Sequence, residues 1–227
     1  MNLKEDNLIT VYIADVSPLD DDGLFERVYS QASSERRQKV DKLRARRDKN
    51  LSLGVEYLKL LAFIGRGSDC YGAYFNLSHS GDIAICAVAD CPVGCDVQLM
   101  KDSGRCADGS ASGSASFESI AERFFSGDEY KLISEQKDVS GKEELFYRIC
   151  ALKESFMKCT GLGFELPMNE FSVLPDGGEI ALRQSVDGFE YSFYEHAENG
   201  ESGNYRFACC VRGAGGGKAF WKSVIIK

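Results

Sequence analysis

Histidine is scarce in this sequence: of 227 residues, only His79 and His196 carry an imidazole. Cys91 and Cys95 flank a Pro-Val-Gly turn, but no second pair with zinc-ligand spacing follows. With two histidines to draw on, a structural zinc site is not expected. The nine cysteines are odd in number and follow no regular framework. Cys86 and Cys150 fall in apolar runs, so the thiols read as reduced, small hydrophobes. No apolar run is long enough to cross a bilayer, which points away from a membrane protein. The opening Met1-Asn2-Leu3-Lys4-Glu5-Asp6 is acidic and polar and lacks the pattern of a signal peptide, so the expected location is the cytoplasm. Excess positive charge is missing too. A formal net charge of −8 argues against nonspecific nucleic-acid binding by the whole surface. No G-x-S-x-G elbow is present, and neighbouring Ser and His side chains do not easily meet, which weakens a serine-hydrolase reading of Ser78-His79.

What remains is an ordinary globular composition, 44% hydrophobic and 27% charged, with length for one large domain or two small ones. Leu8 to Val16 reads as a strand. Ser33 or Ser34 caps a basic helix, and Leu51, Val55, Leu58 and Ala62 continue a helical stripe toward Gly65. Tyr74–Leu77, Ile83–Ala89 and Val93–Leu99 read as short strands, with Ser78-His79-Ser80-Gly81 as a tight turn. Residues 102–116 are nearly all Gly, Ser, Ala and Asp. Such a stretch cannot bury a core and reads as a flexible linker. It divides the chain into an N-terminal half, residues 1–101, and a C-terminal half, residues 117–227. The second half opens with a helix at Phe117–Phe125. Capping boxes at Ser126–Glu129 and Ser140–Glu143 start two more, the last running to about Lys158 and stopped by Gly161. Alternating segments at Glu170–Leu174, Ile180–Leu182, Tyr191–Glu195, Tyr205–Val211 and Phe220–Ile226 then suggest an antiparallel sheet. The class is α+β.

Two places stand out: Phe75 to Gly81 followed by Gly94 to Gln98, and Arg123 to Ser126 followed by Ala151 to Lys158. On the strand at Val93–Leu99, Gly94, Asp96 and Gln98 point away from Val93, Cys95, Val97 and Leu99. On the last helix, Glu154 and Lys158 are four apart and share a face off the Leu145-Ile149-Leu152-Phe156 stripe. That pair alone reads as a surface ion pair. Together, Asp96 and Glu154 could hold a hard cation such as Mg²⁺, which takes a couple of carboxylates plus substrate phosphates. Hydroxyls, backbone N–H groups and an imidazole at Ser78-His79-Ser80 can meet phosphate oxygens. A separate segment is basic: Arg36, Arg37, Lys39, Lys42, Arg44, Arg46, Arg47 and Lys49 are opposed only by Asp41 and Asp48. It suits a solvated helix face, a collar for a polyanionic small molecule, or a nucleic-acid-binding module.

Asn76-Leu-Ser-His-Ser, Gly94-Cys-Asp-Val, Arg123-Phe-Phe-Ser and Leu152-Lys-Glu-Ser-Phe-Met-Lys resemble the signatures of the 4′-phosphopantetheinyl transferases. The likeness is to the larger monomeric class that primes peptide and polyketide synthases, and it runs over roughly Ser33 to Val173. It implies two similar α+β halves with coenzyme A in the cleft between them. It implies transfer of 4′-phosphopantetheine from CoA to a serine of an acyl or peptidyl carrier protein, with release of 3′,5′-ADP. By this resemblance Asp96 and Glu154 are Mg²⁺ ligands (Mn²⁺ being an alternative), with Gln98 where the family usually has a second acid. Glu154 also helps deprotonate the carrier serine. Lys153 and Lys158 lie near the CoA phosphates, Ser78 and His79 contact them, and Arg36 and Lys39 lie near the 3′-phosphate. The partners implied are CoA and a carrier protein, with no nucleic acid and no membrane, for a monomeric enzyme.

The sequence departs from the pattern at Gln98, in a Gly65–Tyr74 segment without the usual Gly-Lys-Pro element, and in the 102–116 stretch, which looks inserted. A degenerate relative that binds CoA or carrier without turnover therefore stays open beside the active enzyme.

Overall fold

A computed structural model describes residues 9–67, 71–100, 117–200, 203–213 and 217–227. The chain builds four layers. A four-stranded sheet runs in the order β2-β3-β1-β9, from β1 (Ile9–Asp15), β2 (Tyr74–Ser80), β3 (Ile83–Ala89) and β9 (Ala219–Ser223). A second sheet, in the order β4-β8-β7, takes β4 (Val93–Met100), β7 (Tyr191–Gly200) and β8 (Gly203–Arg212). The two sheets face each other across a dry core of Ile9, Val11, Ile85, Val97, Phe207 and Cys209 among others. Strand side chains alternate between faces, so the opposite faces need covers. Helices α1 (Asp22–Gln31), α2 (Ser34–Lys42) and α3 (Arg46–Arg66) cover the first, with Leu58 and Ala62 packed against Ala14, Cys86 and Val88. Helix α6 (Val139–Thr160) covers the second, with Leu152 and Phe156 packed against Ala208 and Cys210. Helices α4 (Phe117–Phe124) and α5 (Gly127–Ser134) close on the first half of α6 through Phe125, Ile133, Phe146 and Ile149. A hairpin of β5 (Ser172–Asp176) and β6 (Glu179–Arg183) follows α6.

The structure adjusts several sequence expectations. Ser78, His79 and Ser80 lie in β2, and the turn is Gly81-Asp82, where Gly81 takes φ +61°. The last helix starts earlier than Ser140: Asp138 is its cap and accepts from Gly141 N at 2.7 Å. A carboxylate two residues upstream outcompetes the serine as the acceptor. Gly161 does end this helix, at φ +80°. The last segment is not antiparallel, since β9 pairs parallel with β1. A cut between the halves at 102–116 does not separate the sheets: β4 belongs with β8, and β9 with β1. The 102–116 stretch itself lies outside the described residues, as do Cys70 and Cys106. Cys86, Cys95, Cys159, Cys209 and Cys210 are buried free thiols.

One glycine sets the depth of the candidate site. At Gly94 a Cβ would overlap Ser155 O and Cys159 N of α6. Only a residue without a side chain lets α6 lie this close to β4. That approach brings the Asp96 side of β4 directly beneath Glu154 and Lys158.

Candidate active site

The Asp96 side chain is 2% exposed on the α6 face of β4. Such a burial needs partners, and three are present. Ser78 Oγ donates to its Oδ1 at 2.7 Å and Lys158 Nζ to the same oxygen at 2.6 Å. Gln98 Nε2 donates to Oδ2 at 2.7 Å and also reaches Glu154 Oε1 at 3.2 Å. Lys158 Nζ further donates to Ser78 Oγ at 2.9 Å and Cys95 O at 3.2 Å, and lies 4.0 Å from Glu154 Oε2. Strands β2 and β4 are held in place by side chain to backbone bonds: Cys95 N donates to Asn76 Oδ1 at 3.1 Å and Leu99 N to Ser80 Oγ at 3.0 Å. These residues line a cavity of about 300 Å³ whose wall includes Ser78, His79, Asp96, Gln98, Glu154 and Lys158.

The electrostatics follow from this packing. Burial, then the Asp96 charge, pushes the Glu154 carboxyl up to about 7, although Lys158 opposes the rise. Burial pulls the Lys158 ammonium down, but Asp96 and its other neighbours outweigh it and hold the group above its usual value. Desolvation, then Lys158 and Lys39, lowers the His79 imidazole. At neutral pH it therefore serves as a hydrogen-bonding group more than as a cation.

The structure brings Asp96, Gln98, Glu154, Lys158, Ser78 and His79 together. Lys39 is exposed on α2 and near enough to His79 for its charge to be felt there. Two expected phosphate contacts are elsewhere. Lys153 is 0% exposed. Its Nζ donates to both oxygens of Glu129, at 2.6 and 2.8 Å, and to Phe171 O at 2.8 Å. Its neighbour Glu154 faces the cavity, and one step along a helix turns a side chain by about 100°, so Lys153 faces the core of the second half. Burial removes it from the candidate phosphate ligands. Arg36 donates to Ser52 Oγ at 3.3 Å and pairs with Glu56 at 3.4 Å, bracing α2 on α3. Arg46 and Arg47 of the basic segment are likewise engaged, with Leu19 O and Asp22, and with Asp82. Glu129 was legible only as a capping-box member. Its second role, accepting from Lys153 and from Val173 N at 2.7 Å, left no local signal in the sequence.

The donor set suits a hard cation. Two carboxylates and an amide offer oxygen ligands, and Mg²⁺ is commonly held by one or two carboxylates with substrate phosphates completing its shell. The crowding that lifts Glu154 is the kind a bound cation relieves. Among the described residues no group of three or more His, Cys, Asp or Glu converges.

A sequence model of the 4′-phosphopantetheinyl transferase superfamily matches residues 92–210, more than half of the chain. The chain belongs to that superfamily. A 4′-phosphopantetheinyl transferase of Bacillus subtilis is 34% identical over 139 residues, 61% of this chain and 54% of the relative. The transferase Sfp of Bacillus subtilis strain 168 is 38% identical over 116 residues, 50% of this chain and 45% of its own. The human L-aminoadipate-semialdehyde dehydrogenase-phosphopantetheinyl transferase is 39% identical over 124 residues, 51% of this chain and 38% of its own. The chain thus spans about half the length of the curated relatives it matches. A solved holo-(acyl-carrier-protein) synthase of Bacillus anthracis aligns at 17% identity over 54% of this chain and 96% of that one, with a TM-score of 0.38. That likeness is too loose to bear on the site. The superfamily match covers β4, α6 and most of β8, and so includes Asp96, Gln98, Glu154 and Lys158. Among the described residues no helix is long and apolar enough to cross a membrane.

Proposed function

We propose that the chain transfers the 4′-phosphopantetheine group of CoA to a serine of an apo acyl or peptidyl carrier protein, releasing 3′,5′-ADP. The observation that carries this reading is the meeting of Asp96, Glu154, Lys158 and Ser78 from β2, β4 and α6 around one cavity. Superfamily membership supplies the reaction class.

Asp96 and Glu154 would hold Mg²⁺ or Mn²⁺, with Gln98 beside them. A bound ion would neutralise charge on the CoA pyrophosphate and on the departing nucleotide. The remaining work falls to the side chains. Lys158 provides fixed positive charge for the phosphate oxygens. Ser78 holds Asp96 and Lys158 in place from inside the cavity, a largely neutral His79 offers a hydrogen bond at its exposed edge, and Lys39 adds charge on the outer side for a phosphate farther along the nucleotide. Lys153 is left out. The carrier serine oxygen attacks the phosphorus nearest pantetheine, and a new O–P bond forms. The P–O bond to the 3′,5′-ADP phosphate breaks and its electron pair leaves with that phosphate. The serine proton passes to Glu154, directly or through water. Without an ion, burial holds the Glu154 carboxyl up at about 7; a bound cation would favour its ionised, proton-accepting form. Such transfers rest on positioning and charge neutralisation more than on covalent help from the protein.

We further read the enzyme as a monomer of the cytoplasm, in keeping with its buried free thiols. A nucleic-acid role is disfavoured by the engagement of Arg36, Arg46 and Arg47 within the fold. The test is intact mass spectrometry of a recombinant apo carrier protein after incubation with the chain, CoA and Mg²⁺. A gain of one phosphopantetheine, lost without metal and in Asp96→Ala, is the expected result. No gain across several carriers, with Mn²⁺ tried as well, refutes turnover and leaves a CoA- or carrier-binding relative.

A further inference from the structure

Both oxygens of Asp96 are engaged by side chains of the same chain. Oδ1 accepts from Ser78 Oγ at 2.7 Å and Lys158 Nζ at 2.6 Å, and Oδ2 accepts from Gln98 Nε2 at 2.7 Å. The Gln98 amide also spans to Glu154 Oε1 at 3.2 Å. Ionised carboxylates only accept hydrogen bonds, so it is the amide nitrogen that faces them. The three donor positions of Lys158 are likewise spent, on Asp96, Ser78 and Cys95 O.

A divalent ion that approaches Asp96 and Glu154 therefore competes with an ammonium and an amide. It must displace both to gain two carboxylates, and Mg²⁺ gives up its water reluctantly. A pyrophosphate changes this balance twice. Its oxygens compete for Lys158, since charge-assisted bonds to phosphate are strong. They also supply further ligands for the ion. Resting on the transferase reading above, we propose that Gln98 is a positioning residue that makes divalent-ion binding depend on CoA. Its amide, with Lys158, engages the carboxylates so that the ion and the pyrophosphate enter together. The Gln98→Glu variant removes the bridging donor and adds a third carboxylate, so it should bind the ion unaided.

The experiment follows free Mn²⁺ by electron paramagnetic resonance as EDTA-treated protein is titrated with the ion. Titrations are run alone, with CoA, and with 3′,5′-ADP, which has no pyrophosphate. The wild-type chain should bind Mn²⁺ about tenfold or more tighter with CoA than alone or with 3′,5′-ADP. Gln98→Glu should bind Mn²⁺ alone about tenfold tighter than wild type, and CoA should then add less than about threefold. Gln98→Ala removes the bridge without adding charge and should move the same way by a few-fold, which keeps the test open if the acidic variant folds poorly. A wild-type affinity that is the same with and without CoA, while CoA itself binds, overturns this proposal alone. So do variants whose affinity for the ion alone equals that of wild type. A chain that binds CoA under no condition in equilibrium dialysis refutes the transferase reading and the proposal with it.

Discussion

Replacing Lys153 by methionine would leave the Glu129 carboxylate buried without its counter-charge. Both side chains are fully buried, and the ammonium makes three bonds, two to Glu129 and one to Phe171 O. The carboxylate keeps only the backbone donors Ser126 N, at 2.9 Å, and Val173 N, at 2.7 Å. Breaking a buried pair by removing one partner typically costs about 3–5 kcal/mol. Against a total stability of about 5–15 kcal/mol for an ordinary domain, that is a large share. The pair joins α5, α6 and the start of β5, so the loss should appear as weakened global folding with local loosening of these elements. Urea denaturation at 25 °C gives the free energy. Dialysis against CoA, scaled to the folded fraction, gives binding. The expected outcome is a loss of about 3 kcal/mol or more with CoA affinity unchanged. Part of that loss should return in Lys153→Met combined with Glu129→Gln, where no charge is stranded. A stability change below about 1 kcal/mol, joined to a clear fall in CoA affinity, would refute the reasoning and put Lys153 back in the cleft.

Glu154→Gln should stabilise the EDTA-treated protein at pH 8 but not at pH 4. The folded-state carboxyl is raised from 4.5 to about 7, so its ionisation costs stability as pH climbs through that window and costs nothing below it. The gain at pH 8 should reach about 1–3 kcal/mol by urea denaturation, and an equal effect at both pH values would contradict the burial argument. Gly94→Ala should be among the most damaging single substitutions, because α6 backbone atoms occupy the space of a new methyl; a loss of under about 1 kcal/mol would show that α6 stands off from β4. Lys39→Ala should move the His79 titration upward, followed by ring-proton NMR, since Lys39 is one of the charges that lower it. An unmoved titration would separate α2 from the cavity.

Much of the site could be read from sequence because it is carried by short local patterns. Period-2 alternation put Asp96 and Gln98 on one face of β4, and the four-residue spacing put Glu154 and Lys158 on one face of α6. The capping box at Ser126–Glu129 and the stop at Gly161 are equally local. What failed was information spread over distance. Lys153 was placed at the phosphates by family resemblance, and the acid that holds it in the core lies 24 residues away on another helix. Arg36 was read from the density of charge on its own segment, while its partner Glu56 sits on α3. Ser78-His79-Ser80 looked like a turn because serine and glycine cluster there. In the fold the segment pairs antiparallel with Ile83–Ile85 of β3, and Ser78 and Ser80 bond to Asp96 and Leu99 N from there. The parallel pairing of β9 with β1 has no signature in either strand alone.

That pairing bears on how the chain is made. Every residue of the cavity has been synthesised by Lys158, yet Ile9 waits for Ala219 before its sheet is complete. Until then β1 has one side paired to β3 and the other open, in a strand whose side chains are almost all buried in the finished fold. An open apolar edge is a template for pairing with other chains. A product ending before residue 219 would contain every residue of the cavity and still leave that edge of β1 open.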